Sequence, residues 1–166
     1  MSDKLSHVDD SGAARMVDVS GKPETRRRAR ATGSIRMRAA TLEAIVNAQV
    51  KKGDVLGVAR VAGVMAAKRT AELIPLCHPL ALDDIQVTLT PDESLPGIRA
   101  EASVTTTGRT GAEMEALTSV AVALLTVYDM AKGLDRGMEL SDISLASKSG
   151  GLGGDYARVD GTSSAT

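Results

Sequence analysis

The stretch DIQVTLTPDESLPGIRAEASVTT, residues 84–106, decides the fold class. Ile85, Val87 and Leu89 alternate with polar residues, as do Ile98, Ala100, Ala102 and Val104, which is the period of a half-buried strand. Pro91, Asp92, Pro96 and Gly97 between them supply turn chemistry, so the two strands form an antiparallel hairpin. Further strands are expected over residues 29–37, with Ala29, Ala31, Gly33, Ile35 and Met37 on one side, and over 138–146. The segments between have the helical period. Thr41 is placed to cap a short helix carrying Leu42, Ile45 and Val46 and ended by Gly53. Asp54 caps a second helix that runs to about Leu73, and Pro75 stops it. Residues 111–133 form the longest apolar-periodic run and a third helix. Strands interleaved with three helices, an antiparallel hairpin among them, make an α+β sandwich with its helices on one face of the sheet.

Residues 1–14 are polar and read as a flexible arm, and 150–166, rich in Gly, Ser and Thr, as a flexible tail. No linker or repeat divides residues 15–149, which read as a single catalytic domain. With two tyrosines and no Phe or Trp, the core has to be built from Val, Ile, Leu, Met and Ala. So thin a core is a reason to expect burial against other subunits. Gly57, Ala59, Ala62, Gly63, Ala66 and Ala67 leave the second helix with little bulk, which allows close packing on a neighbour. The lone Cys77 excludes an internal disulfide, and one Cys with two His is too small a supply for a Cys/His zinc site. The N-terminus lacks the apolar stretch of a secretion signal, and no run approaches the ~20 apolar residues that span a bilayer. A soluble, cytoplasmic protein without membrane association is expected. Twenty basic against twenty-one acidic residues argue against a general nucleic-acid binder, and single-strand binding lacks its stacking aromatics.

In the long helix, about 100° of rotation per residue gathers Leu117, Val120, Ala121, Leu124, Val127, Tyr128 and Ala131 on a core face. Glu115, Thr118, Ser119, Thr126 and Asp129 gather on the other, with Lys132 one turn beyond Asp129. This is either a solvated face with an ordinary ion pair or an Asp–Lys couple that moves protons in a cleft. Ahead of it GRTGAEME, residues 108–115, offers a glycine turn at a helix N-terminus. Glu113 and Glu115 there either stabilise the first helical turn or accept hydrogen bonds from the N–H groups of a base. IPLCHPL, residues 74–80, would present Cys77 and His78 rigidly between prolines. Neighbours in an extended chain face opposite ways, so a Cys–His nucleophile pair does not follow. His78 suits a phosphate ligand or proton donor, with a satisfied core histidine as the plain alternative. Basic residues recur from Lys22 through Arg26, Arg27 and Lys52 to Lys148; converging, they would hold a highly anionic small molecule. Lys148-Ser-Gly-Gly lacks the spacing of a nucleotide-hydrolase phosphate loop.

MVDVSGKPETRRRARATG (16–33), KKGDVLGVARVAGVMAAKRTAELIPLCHPL (51–80), GRTGAEMEALTSVAVALLTVYDMAKG (108–133) and SKSGG (147–151) together strongly resemble the molybdenum cofactor biosynthesis protein C family, the cyclic pyranopterin monophosphate synthases. The resemblance implies a ferredoxin-like sandwich assembled as a homohexamer, a trimer of dimers with active sites at the dimer interface. It implies a phosphorus–oxygen lyase that turns (8S)-3′,8-cyclo-7,8-dihydroguanosine 5′-triphosphate, a GTP-derived cyclic nucleotide, into cyclic pyranopterin monophosphate and diphosphate. No cofactor is required, although Mg²⁺ could ride on the substrate triphosphate. Leu76, Cys77 and His78 match one substrate-binding segment and Met114 with Glu115 another. Glu113 matches a contact of the guanine-derived ring, and Lys148 a lysine near the phosphates. Asp129 matches the assigned active-site residue, and Lys52 and Lys132 the lysines of acid–base chemistry. Here KSGG continues with Leu152 and Gly153, where family members often have a basic residue and a serine. The competing class is a non-catalytic nucleotide or nucleic-acid binding module.

Overall fold

The structure is a computed structural model and describes residues 12–159. Its elements are β1 (Thr25–Arg36), α1 (Ala39–Val46), α2 (Val55–Lys68), α3 (Thr70–Leu73), β2 (Asp84–Asp92), β3 (Gly97–Gly108), α4 (Glu113–Ala131), β4 (Glu139–Ser149) and β5 (Tyr156–Ala157). The strands form one antiparallel sheet in the order β2-β3-β1-β4-β5. α2 and α4 lie side by side against it. A βαββαβ chain with β1 and β3 central is the ferredoxin-like arrangement, as the resemblance implied.

The hairpin register follows from the alternation in the sequence. Ile85 pairs with Val104, Val87 with Ala102 and Leu89 with Ala100, and all but Ile85 are buried. Beneath the helices the core holds Ile35, Ile98, Val104, Val120, Leu124 and Val127, each fully buried and each worth roughly 1.5–3 kcal/mol. No ring enters this set. Tyr128 packs at its margin, and Tyr156 stands exposed on β5.

Three local expectations change. Thr41 does not cap α1: the helix starts earlier, at Ala39, and Thr41 is buried within it. The entry is anchored instead by a tertiary bond, the Arg38 backbone N–H donating to the Asp135 carboxylate at 2.9 Å. α1 ends at Val46, well before Gly53, because Ala48 turns into the left-handed region (φ 54°). Asp54 caps α2 as expected, accepting from the Gly57 N–H at 2.8 Å. That helix stops at Lys68, however. The Thr70 hydroxyl donates back to the Ala66 and Ala67 carbonyls, at 3.1 Å each, and the chain restarts as α3.

α4 is rotated from the orientation its apolar residues suggest. Glu115 and Ser119, expected on a polar face, are 2% and 0% exposed. Ala121, expected in the core, is only half-buried. The cause is a second packing partner: α4 meets the sheet on one side and α2 on another, so its buried arc is wide and includes polar residues. The small residues of α2 serve this contact within the chain. A Cβ on Gly63 would lie 3.1 Å from the Ser119 carbonyl oxygen and 3.2 Å from its hydroxyl. α4 is long and apolar enough to cross a membrane by length and composition, but half of it is buried as the core helix.

Of the stretch read as a tail, Tyr156–Ala157 forms β5 on the edge of β4, so the sheet extends into it. Most of the expected arm (residues 1–11) and the rest of the tail (160–166) lie outside the described residues.

Candidate active site

One cluster gathers where α4 ends. Lys132, one turn past Asp129, places its ammonium 2.7 Å from Oδ1, and Lys52 reaches Oδ2 at 2.8 Å from the turn before α2. Lys52 also donates to the Asp129 main-chain carbonyl at 2.8 Å, so it is tied to this residue twice. The hydrogen bonds from Lys132 and then Lys52 hold the Asp129 carboxyl down at about 2. It therefore stays ionised and presents two ammonium groups to the same exposed surface.

A second cluster gathers where α4 begins. Lys148, from β4, pairs with Glu113 Oε1 at 3.0 Å. Gly111 lies close beside it, and a Cβ there would push the Glu113 carboxylate from its place. Glu115 is buried, and burial raises its carboxyl above the ordinary range. The Cys77 thiol donates to its Oε1 at 3.5 Å, while Oε2 is buried without a hydrogen-bond partner. Burial, then the Glu115 charge, pushes the thiol up to about 11, so Cys77 is a proton-holding donor here and a poor nucleophile. Leu76 and His78 are half-buried in the same segment. Asp18, held low chiefly by the Ser20 N–H it accepts, also feels His78. Met114 is 37% exposed on the outer side of α4.

Behind Lys148 the chain turns through Gly150 (φ +84°) and Gly151 (φ +86°), conformations that favour glycine. The turn lies tight against β1: a Cβ on Gly150 would meet the Arg26 carbonyl at 2.2 Å, and one on Gly151 the Arg27 guanidinium at 2.1 Å. Arg27 Nε donates to the Gly108 carbonyl at 2.9 Å, and Arg27, Glu113, Lys148 and Gly150 line a recess of about 50 Å³. In the sequence Arg27 is one basic residue among many. The antiparallel pairing of Arg28 with Ser149 is what brings it here.

The two clusters do not meet within one chain. Glu113 and Asp129 are sixteen positions apart on one continuous helix, or ~24 Å at about 1.5 Å per residue. A concavity of about 830 Å³ covers the other face of the sheet, is lined by groups such as Thr32, Ser34, Arg99 and Glu101, and contains neither cluster. Among the described residues no three His, Cys, Asp or Glu side chains converge as a metal site.

Comparison with known proteins shows the family. Residues 16–151 match the MoaC family, a span that includes every residue of both clusters. The chain is 56% identical over 160 residues to a cyclic pyranopterin monophosphate synthase of Brucella ovis, covering 96% of this chain and 97% of that protein. Identity to the protein of that name in Brucella canis is 55% over the same span and shares. By these matches along nearly its whole length, the chain belongs to the MoaC family.

Proposed function

We propose that this protein is a cyclic pyranopterin monophosphate synthase of molybdenum cofactor biosynthesis. It acts as a lyase that rearranges 3′,8-cyclo-7,8-dihydroguanosine 5′-triphosphate and releases diphosphate. The observation that carries the chemistry is the Asp129 carboxylate clasped between Lys52 and Lys132. Asp129 keeps both ammonium groups aimed at one place, and the lysines shuttle protons while the purine-derived ring opens and recloses as a pterin. Glu113 and Glu115 accept from the N–H groups of that ring, with Leu76, Cys77 and Met114 shaping its pocket. Lys148, His78 and the Gly150–Gly151 turn face the triphosphate and stabilise it as diphosphate leaves and the cyclic phosphate closes. In this reading no metal is held by the protein, and any Mg²⁺ travels with the triphosphate. The cytoplasm, where GTP-derived nucleotides arise, is the assigned compartment.

The ~24 Å between the clusters supports a reading in which one chain supplies two halves of different sites. We therefore assign a homohexamer, a trimer of dimers, in which each site joins the clasp of one protomer to the Glu113–Lys148 cluster of another. Mixing Asp129→Asn with Glu113→Gln tests this. Each variant alone should be inactive, whereas after subunit exchange about a quarter of the sites combine two intact halves and activity returns to that extent. No recovery, in a mixture shown to have exchanged subunits, would refute the shared site. Turnover of enzymatically prepared substrate, followed by mass spectrometry, tests the reaction itself. A binding module explains the basic residues but leaves the clasp without a purpose; it would show oligonucleotide binding with steep salt dependence.

A further inference from the structure

Among the described residues two carboxylates are buried, Glu115 and Asp135, and the reaction as read above uses the first and not the second. Asp135 lies in the turn between α4 and β4 and is 6% exposed. Its Oδ2 accepts from the Arg38 main-chain N–H at 2.9 Å and lies 3.4 Å from the Arg38 Nε. Its Oδ1 accepts from the Gly137 N–H at 3.0 Å. The Arg38 guanidinium also donates to the Leu134 carbonyl. A carboxylate out of water is stable only with its lone pairs filled, and here charge-assisted bonds fill them. The same donors, the Arg38 N–H first, hold its carboxyl below the ordinary range.

Two short runs of chain lead from this knot to the clasp. On one side the Leu134 and Asp135 N–H groups donate to the Ala131 carbonyl at 2.8 and 3.2 Å, and the Tyr128 hydroxyl to the Arg136 carbonyl at 3.1 Å. Lys132 is thus held between the last turn of α4 and Asp135, three positions on. On the other side the Arg38 carbonyl accepts from Thr41 and Leu42 at 2.9 and 3.1 Å, which opens α1. Leu42, Ile45 and Val50 are buried, and the Gly53 N–H donates to the Val50 carbonyl at 3.0 Å, closing the turn that carries Lys52. The clasp cannot hold these two runs together by itself. Its ion pairs are about half exposed, and pairs open to solvent hold little.

We propose that Asp135 is a positioning residue for the reaction: by bonding the segment that enters α1 to the turn that leaves α4, it sets the spacing at which Lys52 and Lys132 close on Asp129. The proposal rests on the clasp's role in the synthase reading and adds what holds the clasp in place. Asp135→Asn keeps the size but turns an amide donor towards an N–H or the guanidinium. A misplacement of about 1 Å costs about a hundredfold in rate, so kcat should fall about ten- to a hundredfold. KM should stay within about twofold, because the triphosphate is held at the other cluster. Val87→Ala, in the middle of β2, is the control for lost stability: it should melt lower and keep its kcat. A second readout needs no turnover. Under limiting acetic anhydride, with peptides read by mass spectrometry, acetylation of Lys52 and Lys132 should rise at least about threefold over wild type. An ammonium released from its carboxylate loses its proton more readily. Lys68, exposed at the end of α2, should not change. Arg38→Ala, which spares the main-chain N–H bond, should move kcat and acetylation the same way by less, and it carries the test if Asp135→Asn fails to fold. Wild-type kcat in the folded variant would overturn the proposal, as would a raised KM at unchanged kcat or unaltered acetylation. A wild type without turnover would sink the synthase reading, and acetylation would still decide whether Asp135 sets the clasp.

Discussion

Replacing Gly63 by alanine tests how α2 and α4 hold the site together. The added Cβ would lie 3.1 Å from the Ser119 carbonyl oxygen, 3.2 Å from its hydroxyl and 3.2 Å from Val87 Cγ1. Ordinary contacts begin near 3.4 Å, and the nearest atom is helix backbone, which cannot move alone. Overpacking of this kind costs about 1–3 kcal/mol, against which alanine regains about 1 kcal/mol of helix propensity. The net expectation is a loss of up to about 2 kcal/mol. For a domain of this size that lowers the melting temperature by up to about 8 °C, measured by scanning calorimetry at one protomer concentration. Gly133→Ala is the control: nothing lies within 4 Å of the new carbon, so its melting temperature should hold or rise. A Gly63→Ala protein melting above the wild-type temperature would show that the helices do not depend on this close approach.

Further tests address the two clusters. Burial raises the Glu115 carboxyl, so its contribution to stability is complete below the unfolded value near 4.5 and is lost as pH rises through the folded one. The melting-temperature gain of Glu115→Gln over wild type should therefore be larger at about pH 8 than at about pH 4; equal gains would contradict the assignment. Lys132→Ala should cut turnover by roughly 10²–10⁴ while the exposed ion pair it breaks leaves the melting temperature nearly unchanged. Near-normal turnover in a folded assembly would remove Lys132 from the chemistry. Gly150→Ala, forced into a left-handed backbone against the Arg26 carbonyl, should displace the turn behind Lys148 and raise KM at least about tenfold, more than it lowers kcat. An unchanged KM would separate that turn from phosphate binding.

The hairpin was legible because a one-residue slip would turn Val87, Leu89, Ala100 and Ala102 out of the core. The Asp129–Lys132 couple was legible because three positions on a helix are neighbours in space. The orientation of α4 was not. Periodicity reports one apolar direction, whereas α4 is packed from two, and Glu115 and Ser119 go inside despite their polarity. Contacts made across the fold left no local trace: Cys77 reaches Glu115 across 38 positions, and Lys52 reaches Asp129 across 77. Family resemblance supplied Lys52 where spacing could not.

A core without rings has an optical consequence. Near-ultraviolet absorption and emission come from Tyr128 and Tyr156 alone, with no tryptophan to mask them. Tyr128 is bonded to its own neighbourhood through the Arg136 carbonyl and adjoins Asp129 in sequence, while Tyr156 pairs in register with Lys148. Each half-site therefore carries its own chromophore, and replacing either tyrosine by phenylalanine turns the unlabelled protein into a spectroscopic reporter of the other.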